Sequence, residues 1–176
     1  MKKIEALIKT DVERMEILSI VKKLDLPDCY VAAGFIRNLV WDHIFSTSTP
    51  LNDIDIVFFD PLDKLNTRTK EITAQLNKQF PDFEWQVKNR AFMHHRNQDR
   101  PYKNTSDAMS FWPEKETAIG VSIDTNSALT FINAFPKNNI FDGKITYNPK
   151  RNERVFRQRI VQKQWLKIWP HLQVVI

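Results

Sequence analysis

Two aspartates separated by one residue, Asp53 and Asp55, are the side chains of this sequence best suited to chemistry. They lie in residues 52–59, which alternate acidic with β-branched residues and then become wholly apolar, as a strand does when one end emerges at a site. Residues two apart on a strand share a face, which places their Cα atoms about 7 Å apart. Divalent cations would relieve the repulsion between the carboxylates, and cations held in this way promote phosphoryl transfer. The competing interpretation is a solvated strand end or a turn that starts at Asn52.

The acid pair follows a predicted strand, a glycine turn and a helix. Residues 29–33 form a short apolar run rich in strand formers, which predicts a buried strand that ends at Gly34. Residues 35–45 carry apolar side chains at helical spacing and predict a helix, and residues 46–50 predict a loop. The residues after the acid pair then form a buried strand rather than a surface hairpin, which favours a functional interpretation of the pair.

The rest of the chain predicts further elements on both sides of this unit. They are helices over residues 11–24, 60–80, 89–96 and 152–169, strands over 83–88 and 118–123, and a helical turn at 107–109. Leu65, Ile72 and Leu76 are available for the buried face of the second helix, and Pro170 ends the last one. No repeat or linker divides these elements, so we expect a single domain over residues 1–176.

The composition limits the classes of protein to which the chain can belong. The chain has 176 residues, 42% of them apolar, which is enough for one packed core and too little for two ordinary domains. A net charge of +5 indicates a mildly anionic partner. The single cysteine, Cys29, excludes an internal disulfide framework and a cysteine-based zinc site, and it predicts a cytoplasmic location with no disulfide-linked partner. No segment resembles a signal peptide or approaches the roughly 18 apolar residues of a membrane span, so we expect a soluble protein with no membrane partner.

Two segments in this order resemble a known superfamily. Residues 31–42 have the sequence VAAGFIRNLVWD and residues 51–57 the sequence LNDIDIV. Together they resemble the polymerase-beta-type nucleotidyltransferases, and the turn is similar to that of tRNA nucleotidyltransferases and poly(A) polymerases. The match is closer to a small bacterial family of nucleotidyltransferase-like proteins, which also has segments similar to residues 87–94, 117–121 and 163–165. The resemblance implies an α/β (α+β) fold with a mixed central sheet flanked by helices.

The resemblance also implies roles for individual residues. Gly34 would let the backbone approach the triphosphate of an NTP at the N-terminus of the following helix, and Arg37 would reach a phosphate. Asn38 stands where the tRNA-modifying relatives have an aspartate, beside the same nucleotide site. Asp53 and Asp55 would act as catalytic carboxylates that hold Mg²⁺ or Mn²⁺. For Arg37 the alternative is an ordinary surface arginine on an amphipathic helix.

The third carboxylate of the fold should come from a neighbouring strand, where this sequence departs from the family pattern. The family has an acid immediately after the tryptophan, and this chain has Gln86 after Trp85. Glu84 shares a face with Gln86 and Lys88 on the predicted strand and is the nearest substitute, although an exposed strand-end acid is the alternative. Without Glu84 the site has two acids, and either its metal affinity falls or the protein is a degenerate binder. Lys88 and Arg90 would help to neutralise the triphosphate, unless they are simply solvated.

These inferences together predict a metal-dependent nucleotidyltransferase. The expected reaction moves an NMP from an NTP to an acceptor hydroxyl and releases pyrophosphate, and RNA, a protein side chain and a small molecule all fit as the acceptor. A nucleotide-binding module that has lost catalysis is the first alternative, favoured by Gln86. A basic nucleic-acid-binding protein is the second, favoured by the net charge and the arginine-rich closing helix, but it leaves the acid pair unexplained.

Overall fold

The chain folds around a five-stranded sheet, and the computed structural model describes residues 1–51, 53–65 and 67–176. The helices are α1 (Lys2–Thr10), α2 (Val12–Lys22), α3 (Gly34–Phe45), α4 (Thr67–Gln79), α5 (Met93–Asn97), α6 (Thr105–Met109), α7 (Glu153–Gln162) and α8 (Trp165–Ile168). The strands are β1 (Tyr30–Ala32), β2 (Asp53–Phe58), β3 (Glu84–Asn89), β4 (Ile119–Ile123), β5 (Leu129–Asn133), β6 (Lys144–Thr146) and β7 (Gln173–Val175). Short 3₁₀ helices cover Lys115–Thr117 and Ile140–Asp142. Asn52, where the alternative turn would begin, lies outside the described residues.

The central sheet is mixed, as expected. Its strands lie in the order β3-β2-β1-β4-β5, and β6 pairs with β7 in a separate sheet. β2 and β3 are parallel, whereas β1 runs antiparallel to both of its neighbours and β4 runs antiparallel to β5. Helices cover the sheet, so the predicted α/β architecture is confirmed.

The predicted strand, turn and helix at residues 29–45 are confirmed as β1 and α3, but the strained residue of the turn is Ala33 rather than Gly34. Ala33 has φ 57° and ψ −119°, a conformation that normally requires glycine, and Gly34 is the first residue of α3. Phe35, Ile36 and Trp41 on α3 are buried, so this helix packs into the core and fixes the direction in which its N-terminus points.

Three tryptophans join the end of the chain to α3. Trp41 packs edge to face against Trp165 and Trp169, with ring centroids 6.2 and 5.0 Å away. The indole Nε1 of Trp169 donates to Asp42 Oδ1 at 2.9 Å. The hydroxyl of Thr49 donates to the other oxygen of the same carboxylate at 2.7 Å, so Asp42 ties α3 to the loop after it and to the end of α8.

The closing helix predicted over residues 152–169 is interrupted. α7 ends at Gln162, and Gln164 adopts a left-handed conformation, φ 53° and ψ 30°, from which α8 starts in a new direction. The break changes which apolar residues reach the core. Trp165 is buried, whereas Val161, four residues earlier, is 75% exposed.

The prediction was also wrong in two segments of the middle of the chain. The helix predicted from residue 60 begins only at Thr67, so Leu65 is 81% exposed while Ile72 and Leu76 are buried as expected. The helix predicted over 89–96 is confined to α5, because Asn89 continues β3. The side-chain amide of Asn89 accepts a hydrogen bond from the backbone N–H of Asp60 and donates one to the backbone oxygen of Asp60.

Several elements were not predicted from the sequence. They are α1, β5 and the parallel pair of β6 and β7, which joins two segments far apart in the chain. The predicted strand before β5 is confirmed as β4, and the turn at 107–109 belongs to the short helix α6. Among the described residues, every helix is too short or too polar to cross a membrane.

Candidate active site

The acid pair lies at the start of β2, in a wall shared by two cavities. Asp53 and Asp55 are on the same face of the strand, as predicted, with side chains that are 40% and 21% exposed. A cavity of about 730 Å³ and another of about 330 Å³ are both lined by these aspartates. Ala33, Arg159 and Lys163 also line both, so the carboxylates stand where the two spaces meet.

Each aspartate is paired with a lysine. Lys88 Nζ lies 3.2 Å from Asp55 Oδ1, and Lys163 Nζ lies 3.3 Å from Asp53 Oδ2. The second pair is the more exposed of the two, so solvent weakens it more. In both pairs a carboxylate oxygen contacts a cationic group that lines a cavity, so a cation in the cavity can reach these oxygens.

The parallel register of β2 and β3 decides which side chain faces Asp55. Asp53 is opposite Glu84 and Asp55 is opposite Gln86. Glu84 is exposed and lies outside the lining of both cavities, whereas Gln86 and Lys88 line the larger one. On β3 the structure thus places Glu84 beside Asp53 and Gln86 beside Asp55, and of these two only Gln86 lines a cavity. Among the described residues no cluster of three or more His, Cys, Asp or Glu side chains could hold a metal ion.

Arg37 is buried, 7% exposed, and lines the smaller cavity together with Gly34 and Asn38. Its guanidinium lies 5.4 Å from the ring centre of Trp41 and 4.6 Å from that of Trp165. Nη2 donates to Asn38 Oδ1 at 2.8 Å, and Nε has no hydrogen-bond partner among the described residues. Burial lowers the pKa of Arg37 to about 10, so it stays protonated at neutral pH. The alternative of an ordinary surface arginine is therefore wrong.

The N-terminus of α3 opens beside this guanidinium. The N-cap residue is Ala33, whose side chain makes no capping hydrogen bond, so among the described residues the first amides of α3 have no capping oxygen. A Cβ added to Gly34 would lie 3.4 Å from Arg37 Nη2 and 3.7 Å from Asn38 Oδ1, over the polar atoms of both side chains. The absence of a side chain at Gly34 therefore leaves these atoms accessible from the cavity.

Arg90 lines the larger cavity from the end of β3. Its guanidinium stacks over Trp112 with a centroid distance of 5.0 Å, and its Nε has no hydrogen-bond partner among the described residues. Burial lowers the pKa of Arg90 to about 10, an effect that the negative charge of Asp55 opposes. Lys88 and Arg90 thus contribute two positive charges to the same cavity as the acid pair.

Three charged residues at the site were not assigned there from the sequence. Glu114 is fully buried, and its carboxylate pairs with the guanidinium of Arg159 on α7. Arg159 and Lys163 belong to the basic closing segment of the chain, and their spacing of four residues directs both toward the cavities. That spacing could have indicated a shared target, whereas no local pattern marks Glu114, which lies outside any regular α-helix or strand of the chain.

Comparisons with known proteins agree with the fold. The family described as Nucleotidyltransferase matches residues 19–174. No curated protein matches the chain. An NMR structure described as revealing a CCA-adding enzyme head domain aligns with a TM-score of 0.86 and 27% identity, over 99% of this chain and 95% of that one. A CCA-adding enzyme in complex with CTP aligns with a TM-score of 0.54 and 14% identity, over 93% of this chain and 47% of that one. A tRNA-processing enzyme complex aligns with a TM-score of 0.51 and 15% identity, over 89% of this chain and 42% of that one.

These likenesses differ in what they establish. The CTP complex and the tRNA-processing enzyme are distant in sequence and support the fold alone, and this chain spans less than half of their length. The NMR structure matches over nearly the full length of both chains. The family match covers most of the present chain and includes β1, α3 and β2 with its acid pair. The chain therefore belongs to a family of nucleotidyltransferases, transferases with the polymerase-beta-like fold.

Proposed function

We propose that this protein transfers a nucleoside monophosphate from an NTP to an acceptor hydroxyl group and releases pyrophosphate. The observation that carries the proposal is the position of Asp53 and Asp55, which line both cavities at their junction. A reaction between two substrates needs such a junction, because the attacking hydroxyl and the α-phosphate must be held in contact.

The smaller cavity is the proposed site of the triphosphate. Arg37 offers a buried guanidinium with a free Nε, and the uncapped start of α3 offers backbone amides and a partial positive charge. Gly34 permits close approach, and Asn38 holds Arg37 in position through its side-chain oxygen. A phosphate there would recover the interactions that this guanidinium lost on burial.

The larger cavity is the proposed site of the rest of the nucleotide and of the acceptor. Its volume of about 730 Å³ falls within the range of small-molecule sites. Lys88 and Arg90 line it and would help to neutralise the phosphates. RNA is the first acceptor to test, since one similar fold is that of a tRNA-processing enzyme, and a protein side chain or a small molecule is the alternative.

Mg²⁺ or Mn²⁺ is the proposed cofactor, and the donor set fits it. Asp53 and Asp55 supply hard carboxylate oxygens on one face of a strand, and both already attract cationic lysine ammonium groups. A divalent cation bound there polarises the phosphoryl oxygens and stabilises the charge that develops on them. The side chains of this chain orient the two substrates, and the arginines neutralise the phosphates.

The proposed reaction is an in-line displacement at the α-phosphorus. The acceptor oxygen forms a bond to phosphorus, the bond to the bridging oxygen of the β-phosphate breaks, and pyrophosphate departs with that electron pair. The hydroxyl proton is lost to water. Each atom of the NTP is thereby found either in the modified acceptor or in pyrophosphate.

Transfer of label from each of four α-labelled NTPs tests the proposal, with total RNA, protein and small-molecule extracts as acceptors and Mg²⁺ or Mn²⁺ present. We expect label in one acceptor class for the native chain and none for an Asp53→Asn/Asp55→Asn variant of equal thermal stability. Equal labelling by both chains would contradict the proposal.

A nucleotide-binding module without turnover is the second candidate, favoured by the neutral Gln86 opposite Asp55. NTP-dependent thermal stabilisation that requires both aspartates, without any transfer, would select this candidate instead. The same four NTPs and the same double variant serve for this measurement, so the two candidates are separated in one set of samples.

A further inference from the structure

The ammonium group of Lys88 lies beside Asp55, at a position that a metal ion bound to Asp55 would also use. Its Nζ lies 3.2 Å from Asp55 Oδ1 and 2.6 Å from the amide oxygen of Gln86. Both acceptors are oxygens of the kind that coordinate divalent cations. Asp55 and Gln86 are opposite each other on the neighbouring parallel strands β2 and β3. The ammonium group therefore bridges their side-chain oxygens.

The charges around this position favour a single divalent cation. Asp53 and Asp55 are the two carboxylates on the exposed end of β2. On β3 the residue opposite Asp55 is the neutral Gln86, and Glu84, opposite Asp53, is exposed and lines neither cavity. One or two carboxylates together with substrate phosphates suffice for one Mg²⁺. A second ion would share Asp55 with the Lys88 ammonium, and the like charges at that distance repel.

The pair between Lys163 and Asp53 is of a different kind. It has one contact, of 3.3 Å, between side chains that are both well exposed, so solvent competes with it effectively. Lys88 makes two contacts and pairs with the more buried aspartate. An incoming cation therefore displaces Lys163 more readily than Lys88.

We propose that the ammonium group of Lys88 takes the place of a second metal ion, so that Asp53 and Asp55 bind one divalent cation instead of two. This inference rests on the proposed function, since it concerns the metal of that same site. Lys88 compensates part of the negative charge at Asp55 during the reaction, as a second ion would. The neutral Gln86 opposite Asp55 and the charge of Lys88 are then two parts of one arrangement.

Electron paramagnetic resonance of Mn²⁺ tests the inference in the full-length chain with a non-hydrolysable NTP analogue. The signal of free Mn²⁺ gives the number bound, and spin coupling in the bound signal reports two ions about 4 Å apart. We expect one uncoupled Mn²⁺ per chain for the native protein and two coupled ions for Lys88→Met. Lys163→Met is the matched control, because it removes the same charge from the same acid pair.

For Lys163→Met we expect one uncoupled ion, bound no more than about fivefold more tightly, as the loss of one exposed ion pair allows. Lys88→Gln repeats the test with a polar side chain. A coupled pair in the native protein, or a single uncoupled ion in both Lys88 variants, would overturn the inference. Identical Mn²⁺ and nucleotide binding by Asp53→Asn/Asp55→Asn would instead overturn the proposed function, and this inference with it.

Discussion

Replacing Arg37 by methionine should separate nucleotide binding from folding. Arg37 is buried between Trp41 and Trp165, and its Nε has no partner among the described residues. Methionine has a similar length and no charge, so the Arg37→Met variant removes the guanidinium without leaving a large cavity. We expect the free energy of unfolding to change little while NTP affinity falls.

The expected stability change follows from opposing contributions. Burial lowers the pKa of Arg37 from its usual value to about 10, which corresponds to ~3 kcal/mol at about 1.4 kcal/mol per pKa unit. The two aromatic contacts of this guanidinium return ~1 kcal/mol each, and its hydrogen bond to Asn38 returns a similar amount. The contributions nearly cancel, so the free energy of unfolding should stay within ~1 kcal/mol of the native value.

The loss of binding should be much larger. Hydrogen bonds between a charged donor and a phosphate contribute roughly 1.5 to 3 kcal/mol, so the dissociation constant of the NTP should rise by about 10- to 150-fold. Urea unfolding measures the first quantity, and isothermal titration calorimetry with a non-hydrolysable NTP analogue measures the second.

Arg14 provides a matched control because it is equally buried, 6% exposed, but its Nε and Nη1 both have partners. Its Nε donates to the backbone oxygen of Phe35 at 2.9 Å, and its guanidinium pairs with Asp11. Arg14→Met should cost ~2 kcal/mol of stability and leave NTP affinity unchanged. If Arg37→Met instead behaves like Arg14→Met, with lost stability and native affinity, the Arg37 guanidinium does not bind the triphosphate.

Three further predictions concern single residues. Glu84→Gln should leave label transfer within about threefold of the native rate, because Glu84 is exposed and outside both cavities. A loss of label transfer as large as that of Asp53→Asn would instead show that Glu84 acts as the third acid. Ala33→Gly should raise the free energy of urea unfolding by ~1 kcal/mol by relieving the positive φ, and a decrease would show that this backbone is unstrained. Although burial raises the pKa of Asp42, hydrogen bonds from Thr47, Thr49 and Trp169 outweigh it and hold the pKa below 3.8. Asp42→Asn should therefore cost ~2 kcal/mol at neutral pH, and this difference should shrink as the pH falls below 3.8; a difference that persists in acid would contradict the role of its charge.

The part of the fold around the acid pair could be predicted because its signals are local. Alternation at Asp53 and Asp55 indicates a strand end, and the order of apolar run, glycine and helical spacing indicates β1 and α3. The register of β2 against β3 is a tertiary property. The sequence showed that Glu84 and Gln86 share a face, but only the pairing of the strands shows which of them faces Asp55.

The rest of the site depends on contacts between distant segments. Glu114 and Arg159 are separated by 45 residues, and no pattern near either one predicts the pair. No glycine or proline marks the helix break at Gln164 in the sequence. The break nevertheless determines where α7 ends and where Trp165 lies. β5 was not predicted because its five residues, LTFIN, are too few to show a clear periodicity in the sequence.

A crystal structure with Mn²⁺ and a non-hydrolysable NTP analogue tests the central claim most directly, because anomalous scattering locates the metal. We expect an anomalous peak in contact with Asp53 and Asp55, with the triphosphate over the N-terminus of α3 and in contact with Arg37. A triphosphate bound away from α3, or Mn²⁺ bound without either aspartate, would contradict the proposed roles of Arg37, Asp53 and Asp55.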